Sequence, residues 1–339
     1  MHKSPSDKPT PVDDSSMQTT PQLQKSQYPF VSMIILTWNQ RDVTLECLDS
    51  LSALDYPHDR LQIIVVDNGS TDGTTEAIRR RFPVVSVIEN SDNLGFAEGN
   101  NVGVRCALDL GVNYIMLLNN DTVVDRDMLK HLMAVAEADP SIGIVTPKIY
   151  YYDEPTRIWC AGAAIDWRRL VTRRLRAEEI DDGTPEPVRK VDFASGCAIC
   201  VRRTVIEQAG LLDPRFFIYY EETDWCVRVS QLGYRCVYVP QGMIWHKISS
   251  AMQEGSPRSA YYMARNVLLF LRKSLPGVRA YPALAIALAR ELVFITVMSV
   301  GPRHRHRRIE RNARLYGVLD FLRGRFGKMP ERYVSPTRS

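Results

Sequence analysis

Through the first 125 residues, short apolar runs stop abruptly at polar clusters and alternate with stretches whose apolar positions recur at helical spacing. Residues 31–36 form one such run, closed by Thr37-Trp38-Asn39-Gln40; Leu45, Leu48, Leu51 and Leu54 then mark a helix that Pro57 ends. A second run, 61–66, stops at Asp67-Asn68-Gly69-Ser70-Thr71-Asp72-Gly73-Thr74, where Asp72 is placed to cap a helix over 75–82. A third strand, 84–88, leads into a polar loop, 89–101, and a helix reaching about residue 110. The fourth, 114–118, contains nothing polar, which predicts a strand buried on both faces, and it halts at Asn119-Asn120-Asp121. Four alternations predict right-handed crossovers and a mainly parallel, Rossmann-like α/β sheet flanked by helices. Every polar tail then falls on the edge of the sheet where ligands bind.

Beyond residue 125 the pattern predicts a helix over 125–138, a strand over 142–149, an irregular charged stretch over 150–188 and a short strand over 236–239. Trp225, Val229 and Leu232 mark an amphipathic helix, and another begins near Tyr261. Residues 280–300 are apolar, but Pro282 breaks the start and Arg290-Glu291 divides the run, so no clean spanning helix is expected there. A basic helix follows to about residue 325. Residues 1–28 are rich in Ser, Pro, Thr and Gln without periodicity, which predicts a disordered tail and no secretory leader.

The composition, 45% hydrophobic and 24% charged over 339 residues, is that of a globular protein with a sizeable core. The net charge of +4 is unevenly placed, since residues 303–314 are strongly basic. Seven scattered cysteines do not form the framework of a small secreted domain, which predicts reduced thiols and a cytoplasmic location.

Thr37, Asp67 and Asp121 come from three strand ends, and the loop 93–101 is placed to close over them with its backbone amides. Such a pocket suits a nucleotide whose diphosphate is bridged by a divalent cation. Taken singly, Asp121 also reads as a turn cap and Asp67 as an Asx turn. Neither GxGxxG at a first strand-to-helix turn nor GxxxxGK[ST] occurs. The arginines at 168, 169, 173, 174 and 176 read as a solvated face or as contacts to an anionic acceptor. Cys197-Ala198-Ile199-Cys200 has no second pair, so a zinc or redox site is rejected. Glu221, Glu222 and Asp224 crowd the first turn of a helix directly after an aromatic run, an arrangement costly to desolvate without a use. Serines 249 and 250 and the loop to residue 258 read as a mobile cover for the bound ligand. The basic C-terminal helices suit either an anionic membrane surface or a packed tail with a solvated face. Nucleic acid is not an expected partner, for no stacking module or recognition helix accompanies the arginines.

Four segments carry a family resemblance: Val-Ser-Met-Ile-Ile-Leu-Thr-Trp-Asn from Val31, Ile-Ile-Val-Val-Asp-Asn-Gly-Ser-Thr-Asp-Gly-Thr from Ile63, Asn-Leu-Gly-Phe-Ala-Glu-Gly-Asn-Asn from Asn93 and Leu-Leu-Asn-Asn-Asp-Thr from Leu117. Together they resemble family 2 glycosyltransferases of the GT-A fold, the bacterial rhamnosyltransferase-like subgroup in particular. The resemblance implies an inverting, metal-dependent transfer from a dTDP- or UDP-sugar to a glycan or lipid-linked acceptor. Its nucleotide-sugar set is Thr37, Asn39, Asp67, Asn93, Gly95, Asn100 and Asn120. Mg²⁺ or Mn²⁺ falls to Asp121, at the end of a DXD-like element whose first Asp is replaced by Asn119, and to His246. The base role falls to Glu222 with Asp224 in support, and Glu221 and Asp224 remain alternatives as the base. Arg265 is expected to pair with a phosphate or with one of these acids. The implied organisation is a tail over 1–28, a catalytic domain over 29–275 with a nucleotide-binding half (29–125) and an acceptor half (126–275), and a helical, basic region over 276–339. The implied location is the cytoplasmic face of the cell membrane, with peripheral contact to anionic lipid. A nucleotidyltransferase and a non-catalytic glycan- or lipid-binding protein are the competing classes; the first lacks a glycine-rich, lysine-bearing N-terminal loop.

Overall fold

A computed structural model describes residues 27–248, 256–299 and 308–333. The expected tail before residue 27, the cover-loop serines 249 and 250, and the basic stretch 303–307 lie outside the described residues.

The first half of the sheet follows its pattern in strand order and direction. Strands β1 (Val31–Thr37), β2 (Leu61–Asp67), β3 (Ser86–Glu89) and β4 (Tyr114–Asn119) run parallel in the order β4-β1-β2-β3. Helices α1 (Arg41–Ser52), α2 (Thr74–Arg81) and α3 (Gly95–Asp109) make the crossovers. Alternation along β1 divides the core into two layers. Val31, Met33 and Ile35 pack with Cys47, Leu48 and Leu51 of α1, while Ile34 packs with Ala97, Val104 and Ala107 of α3. The N-cap of α2 is Gly73, in a left-handed conformation, and not the expected Asp72, which accepts the Thr74 backbone N–H at 3.2 Å from one residue earlier. Register pairs Thr37 with Asp67 and Leu36 with Asn119, so the three polar tails do reach one edge.

The second half turns the sheet mixed. Strand β5 (Thr122–Val124) and helix α4 (Met128–Ala138) precede the long β6 (Ile142–Tyr151). The stretch predicted to be irregular instead holds β7 (Ile158–Cys160), β8 (Ala163–Asp166) and β9 (Val171–Arg174), the last two forming a small separate sheet. Their short runs are masked in sequence by the arginines between them. Strand β10 (Arg189–Val191) lies at the sheet edge, and β11 (Ala198–Arg202) inserts antiparallel between β4 and β6. Helices α5 (Arg203–Ala209) and α6 (Glu221–Gln231) lead to β12 (Arg235–His246), which is parallel to β6 and antiparallel to β5. The pattern had shown only 236–239 of β12, because a register shift between Val239 and Met243 interrupts the alternation around Pro240.

Helix α3 starts at Gly95, inside the predicted loop. Asn100 and Asn101 look like loop residues but are buried: one amide donates to the Phe96 carbonyl at 2.9 Å, the other to the Leu212 carbonyl at 2.9 Å. Gly99 and Gly103 let α3 approach the sheet, since a Cβ at either would stand 2.6 Å from Leu36 or 2.5 Å from Ile34.

Three helices complete the chain: α7 (Pro257–Ser274), α8 (Ala280–Val297) and α9 (Arg308–Leu322). The expected break in α8 does not occur. Pro282 sits in the first turn, where its missing N–H has no intrahelical partner to lose. Glu291 is buried on the packed side, 2.8 Å from Arg314 of α9, so the charge interrupts the apolar pattern without interrupting the helix. By length and composition 277–297 is therefore apolar enough to cross a membrane, contrary to the expectation, although only 22% of that stretch is buried.

Candidate active site

At the sheet edge the β1 tail is fastened to β4 through amides and hydroxyls. Asn120 donates to Gln40 Oε1 and Thr44 Oγ1, both at 2.9 Å, and approaches Thr37 Oγ1 at 3.3 Å. Thr37 and Thr44 share a hydrogen bond of 2.8 Å. The β1 and β2 tails are joined through Asn39, whose N–H donates to Ser70 Oγ and whose Oδ1 accepts the Thr71 N–H, both at 2.8 Å. Asn39 takes the left-handed φ of 51° that this bridge requires, a conformation Asn tolerates. Asp67 is buried and accepts both the backbone N–H and the hydroxyl of Ser70.

The expected amide cradle is corrected. Gly95 N donates to Asn93 Oδ1 at 2.9 Å, and the Phe96 and Ala97 N–H groups donate to the Phe217 carbonyl at 2.6 and 3.2 Å. These first-turn donors of α3 are thus spent inside the protein. Gly95 itself has φ +80°, and a Cβ there would stand 2.6 Å from Phe217. Asn100 faces its own helix and does not join the edge network through any hydrogen bond described here.

Strand pairing brings His246 to Asp121. His246 is opposite Thr122, and its Nε2 lies 3.1 Å from Asp121 Oδ1. Both side chains are buried, and Nδ1 of His246 has no hydrogen-bond partner. Two ligands at right angles, each about 2.1 Å from a hard cation, stand about 3.0 Å apart, so carboxylate and imidazole fit adjacent positions on one ion. Among the described residues no group of three or more His, Cys, Asp or Glu converges, so further ligands would come from a bound diphosphate and water.

The acidic turn is the third part. Glu221 is buried, and its carboxyl is pushed well above the ordinary range by desolvation and then by the Glu222 charge. Glu222 is partly exposed, yet its Oε2 is buried without a hydrogen-bond partner, and desolvation raises its carboxyl despite the amides of its own turn. Asp224 has other company: Lys273 at 2.8 Å and Arg228 at 2.9 Å hold it in an ion cluster with Asp213. The segment 196–197 runs beside Asn119 on one side and Glu222 on the other. Cys197 accepts the Asn119 N–H at 2.9 Å, and its buried thiol is raised further by the Asp121 charge. At neighbouring Gly196 a Cβ would stand 3.6 Å from Glu222 Cγ.

Arg265 pairs with neither a phosphate-facing group nor the acidic turn, contrary to expectation. Fully buried, it donates to the carbonyls of Arg215, Phe216 and Gly327 at 3.1, 2.8 and 2.7 Å. Next to it Asn266 donates to the carbonyls of Phe216, Ile218 and Tyr219 at 2.8–2.9 Å. Together they clamp a segment in which Phe217, Tyr219 and Tyr220 all take left-handed φ, 66°, 71° and 74°, immediately before Glu221. Sequence reasoning missed Asn266, Asn68 and Gly196. An Arg-Asn pair on an otherwise apolar helix face was the available signal. Asn68 donates to the Gly95 carbonyl at 3.1 Å and ties the β2 tail to α3.

Comparison with known proteins gives a consistent picture. The family model "Glycosyl transferase family 2" matches residues 32–208. An N-acetylglucosaminyl-diphospho-decaprenol L-rhamnosyltransferase of Mycobacterium tuberculosis is 27% identical over 248 residues, covering 66% of this chain and 80% of that protein. The dTDP-rhamnosyl transferase RfbF of Shigella flexneri is 25% identical over 257 residues, covering 71% and 79%. Among solved structures, a mannosyltransferase from Pyrobaculum calidifontis in complex with GDP-Man and Mn²⁺ superposes with a TM-score of 0.56 at 17% identity, covering 90% of this chain and 91% of that one. At that identity the likeness concerns the fold.

Proposed function

The chain belongs to glycosyl transferase family 2 and has the GT-A glycosyltransferase fold, and from that premise we propose that it moves a sugar from a nucleoside-diphosphate donor to an acceptor hydroxyl with inversion, aided by Mg²⁺ or Mn²⁺. The observation that carries this reading is the buried Asp121–His246 pair, Nε2 to Oδ1 at 3.1 Å, two residues beyond the end of β4 on the edge where β1 and β2 also end. Asp67, Thr37, Asn39 and Asn120 form the rigid floor on which the donor nucleotide rests, with Asn93 and Gly95 at its rim. Asp121 and His246 would hold the cation, which when bound supplies positive charge to the departing diphosphate. Glu222, with its raised carboxyl, accepts the proton of the acceptor hydroxyl as that oxygen attacks the anomeric carbon from the opposite face. Asp224 anchors this turn through Lys273 and Arg228. Rhamnose as the sugar is supported by the names of the two bacterial relatives, a dTDP-linked donor by that of the Shigella one, and a lipid-diphosphate-linked acceptor by that of the mycobacterial one; a UDP-linked donor is the alternative. With such an acceptor the proposed site of action is the membrane surface, and the cytoplasmic face is the side that agrees with the reduced cysteines expected from the sequence.

The test combines a thermal-shift screen of nucleotides and nucleotide-sugars, with and without Mn²⁺ or Mg²⁺, with a transfer assay. Asp121→Asn is expected to remove the cation-dependent part of nucleotide binding and to abolish transfer. Glu222→Gln should leave donor binding intact while lowering transfer by about 10²–10⁴-fold. Near-normal turnover of the Gln variant would move the base role to Asp224 or Glu221. Pyrophosphate release from a nucleoside triphosphate and a sugar phosphate would replace the proposal with a nucleotidyltransferase.

A further inference from the structure

Helix α8 is apolar on two sides. On its packed side Ala283 and Ala287 lie against α7 with Leu284 and Leu288 beside them, and Glu291 meets Arg314. Its outward side carries Tyr281, Ile286, Leu292, Val293 and Val297, each at least half exposed, at 70, 57, 51, 62 and 56%. At about 100° per residue these five span roughly 160° of the circumference, so they form one continuous face. Exposed apolar surface of this extent on one helix marks a contact site.

Its borders are basic. Arg279 precedes the helix. Arg290 reaches across to the carbonyls of Arg169 and Leu170 at 3.3 Å, which sets exposed Arg169 beside the face, and Arg311 reaches Ser299 at its far end. From residue 276 onward the chain has thirteen Lys and Arg against four Asp and Glu, although the whole protein nets only +4. Trp167, partly exposed and stacked on Phe270, adds an amphipathic aromatic ring in the loop before Leu170.

We propose that the outward face of α8 lies on an anionic lipid bilayer, parallel to its surface, with the surrounding arginines at the headgroups. The charge chooses the partner, since an apolar stripe ringed by cations fits acidic phospholipid and would repel an identical stripe on a second copy. The packing chooses the orientation. Spanning the bilayer would require α8 to leave α7 and to carry the Glu291–Arg314 pair into hydrocarbon, whereas lying on the surface leaves both undisturbed. The inference does not depend on the donor chemistry.

Flotation of the full-length protein with phosphatidylglycerol–phosphatidylcholine vesicles tests it. Binding is expected to these vesicles, to weaken in high salt, and to be poor with phosphatidylcholine alone. The double variant Ile286→Glu/Val293→Glu, whose sites are exposed, should melt like the parent and lose vesicle binding about tenfold or more. Absence of binding to the anionic vesicles, or unchanged binding by the double variant, overturns the proposal. So does a dimer in vesicle-free buffer that the double variant dissociates, because the face would then belong to a second copy.

Discussion

Burial sets the protonation of the two glutamates that open α6, and this gives the site a pH signature. Desolvation raises the Glu222 carboxyl, so the base proposed here would lose its proton only above the ordinary carboxylate range. Transfer should therefore fall as pH drops through a value higher than about 4.3, and Glu222→Asp should move that limb. A profile with its acid limb at the ordinary value would deny Glu222 the role. Glu221 has the opposite interest. Its folded carboxyl titrates well above its unfolded one, so the folded state binds more protons and stability declines as pH rises between the two values. Glu221→Gln removes that decline. Thermal unfolding should show the variant melting higher than the parent at neutral pH and converging with it below about pH 4, where both carboxyls are protonated in either state. The sequence made Thr37, Asp67 and Asp121 visible because each ends an apolar run. Asn266 was invisible for the converse reason: a polar residue within a helix reads as solvent-facing unless its partners, here the carbonyls of another segment, are known.

Among the elements, the left-handed segment before α6 depends on its clamp. Asn266→Ala removes three hydrogen bonds from carbonyls that hold Phe217, Tyr219 and Tyr220 in place, at roughly 1 kcal/mol each. The expected loss is roughly 2–4 kcal/mol in denaturant unfolding. In a transfer assay, kcat should fall further than nucleotide affinity, for the clamp holds the turn that carries Glu222 and leaves the bonds of Asn39 and Asp67 to Ser70 untouched. Gly95→Ala should act on the same contact from the other side. A methyl group 2.6 Å from Phe217, at φ +80°, strains both partners and should lower the melting temperature by several degrees. Element types were mostly legible from periodicity, because β1, β2 and β4 are largely buried on both faces and their apolar runs are interrupted only by Ser32 in β1 and Gln62 in β2. Boundaries failed where tertiary partners override local pattern. Buried asparagines disguised the first turns of α3, a register shift shortened β12, and a paired Glu291 seemed to divide α8.

For the molecule as a whole, the C-terminal helices are structurally continuous with the candidate site although they are remote in sequence. Tyr261 of α7 donates to Asp320 of α9 at 2.8 Å, and Gly317 of α9 lies so close to α7 that a Cβ would stand 2.5 Å from the Tyr261 carbonyl. Gly327 in turn accepts from Arg265 and donates to the Arg215 carbonyl. Ending the chain after residue 299 should therefore impair transfer in detergent as well as on lipid, with lost solubility or an early melting transition as the accompanying sign. That dependence was not readable from the basic, weakly periodic sequence of α9, whose contacts include a glycine and a buried carboxylate besides Ala313, Val318 and Phe321. The Phe217 carbonyl holds the opening turn of α3 with two N–H groups while its own segment runs directly into the acidic turn. A displacement at either end must pull on the other. On the proposed function, occupancy of the nucleotide site and alignment of Glu222 would then be mechanically geared, and a ligand that stiffens one should slow amide exchange in the other.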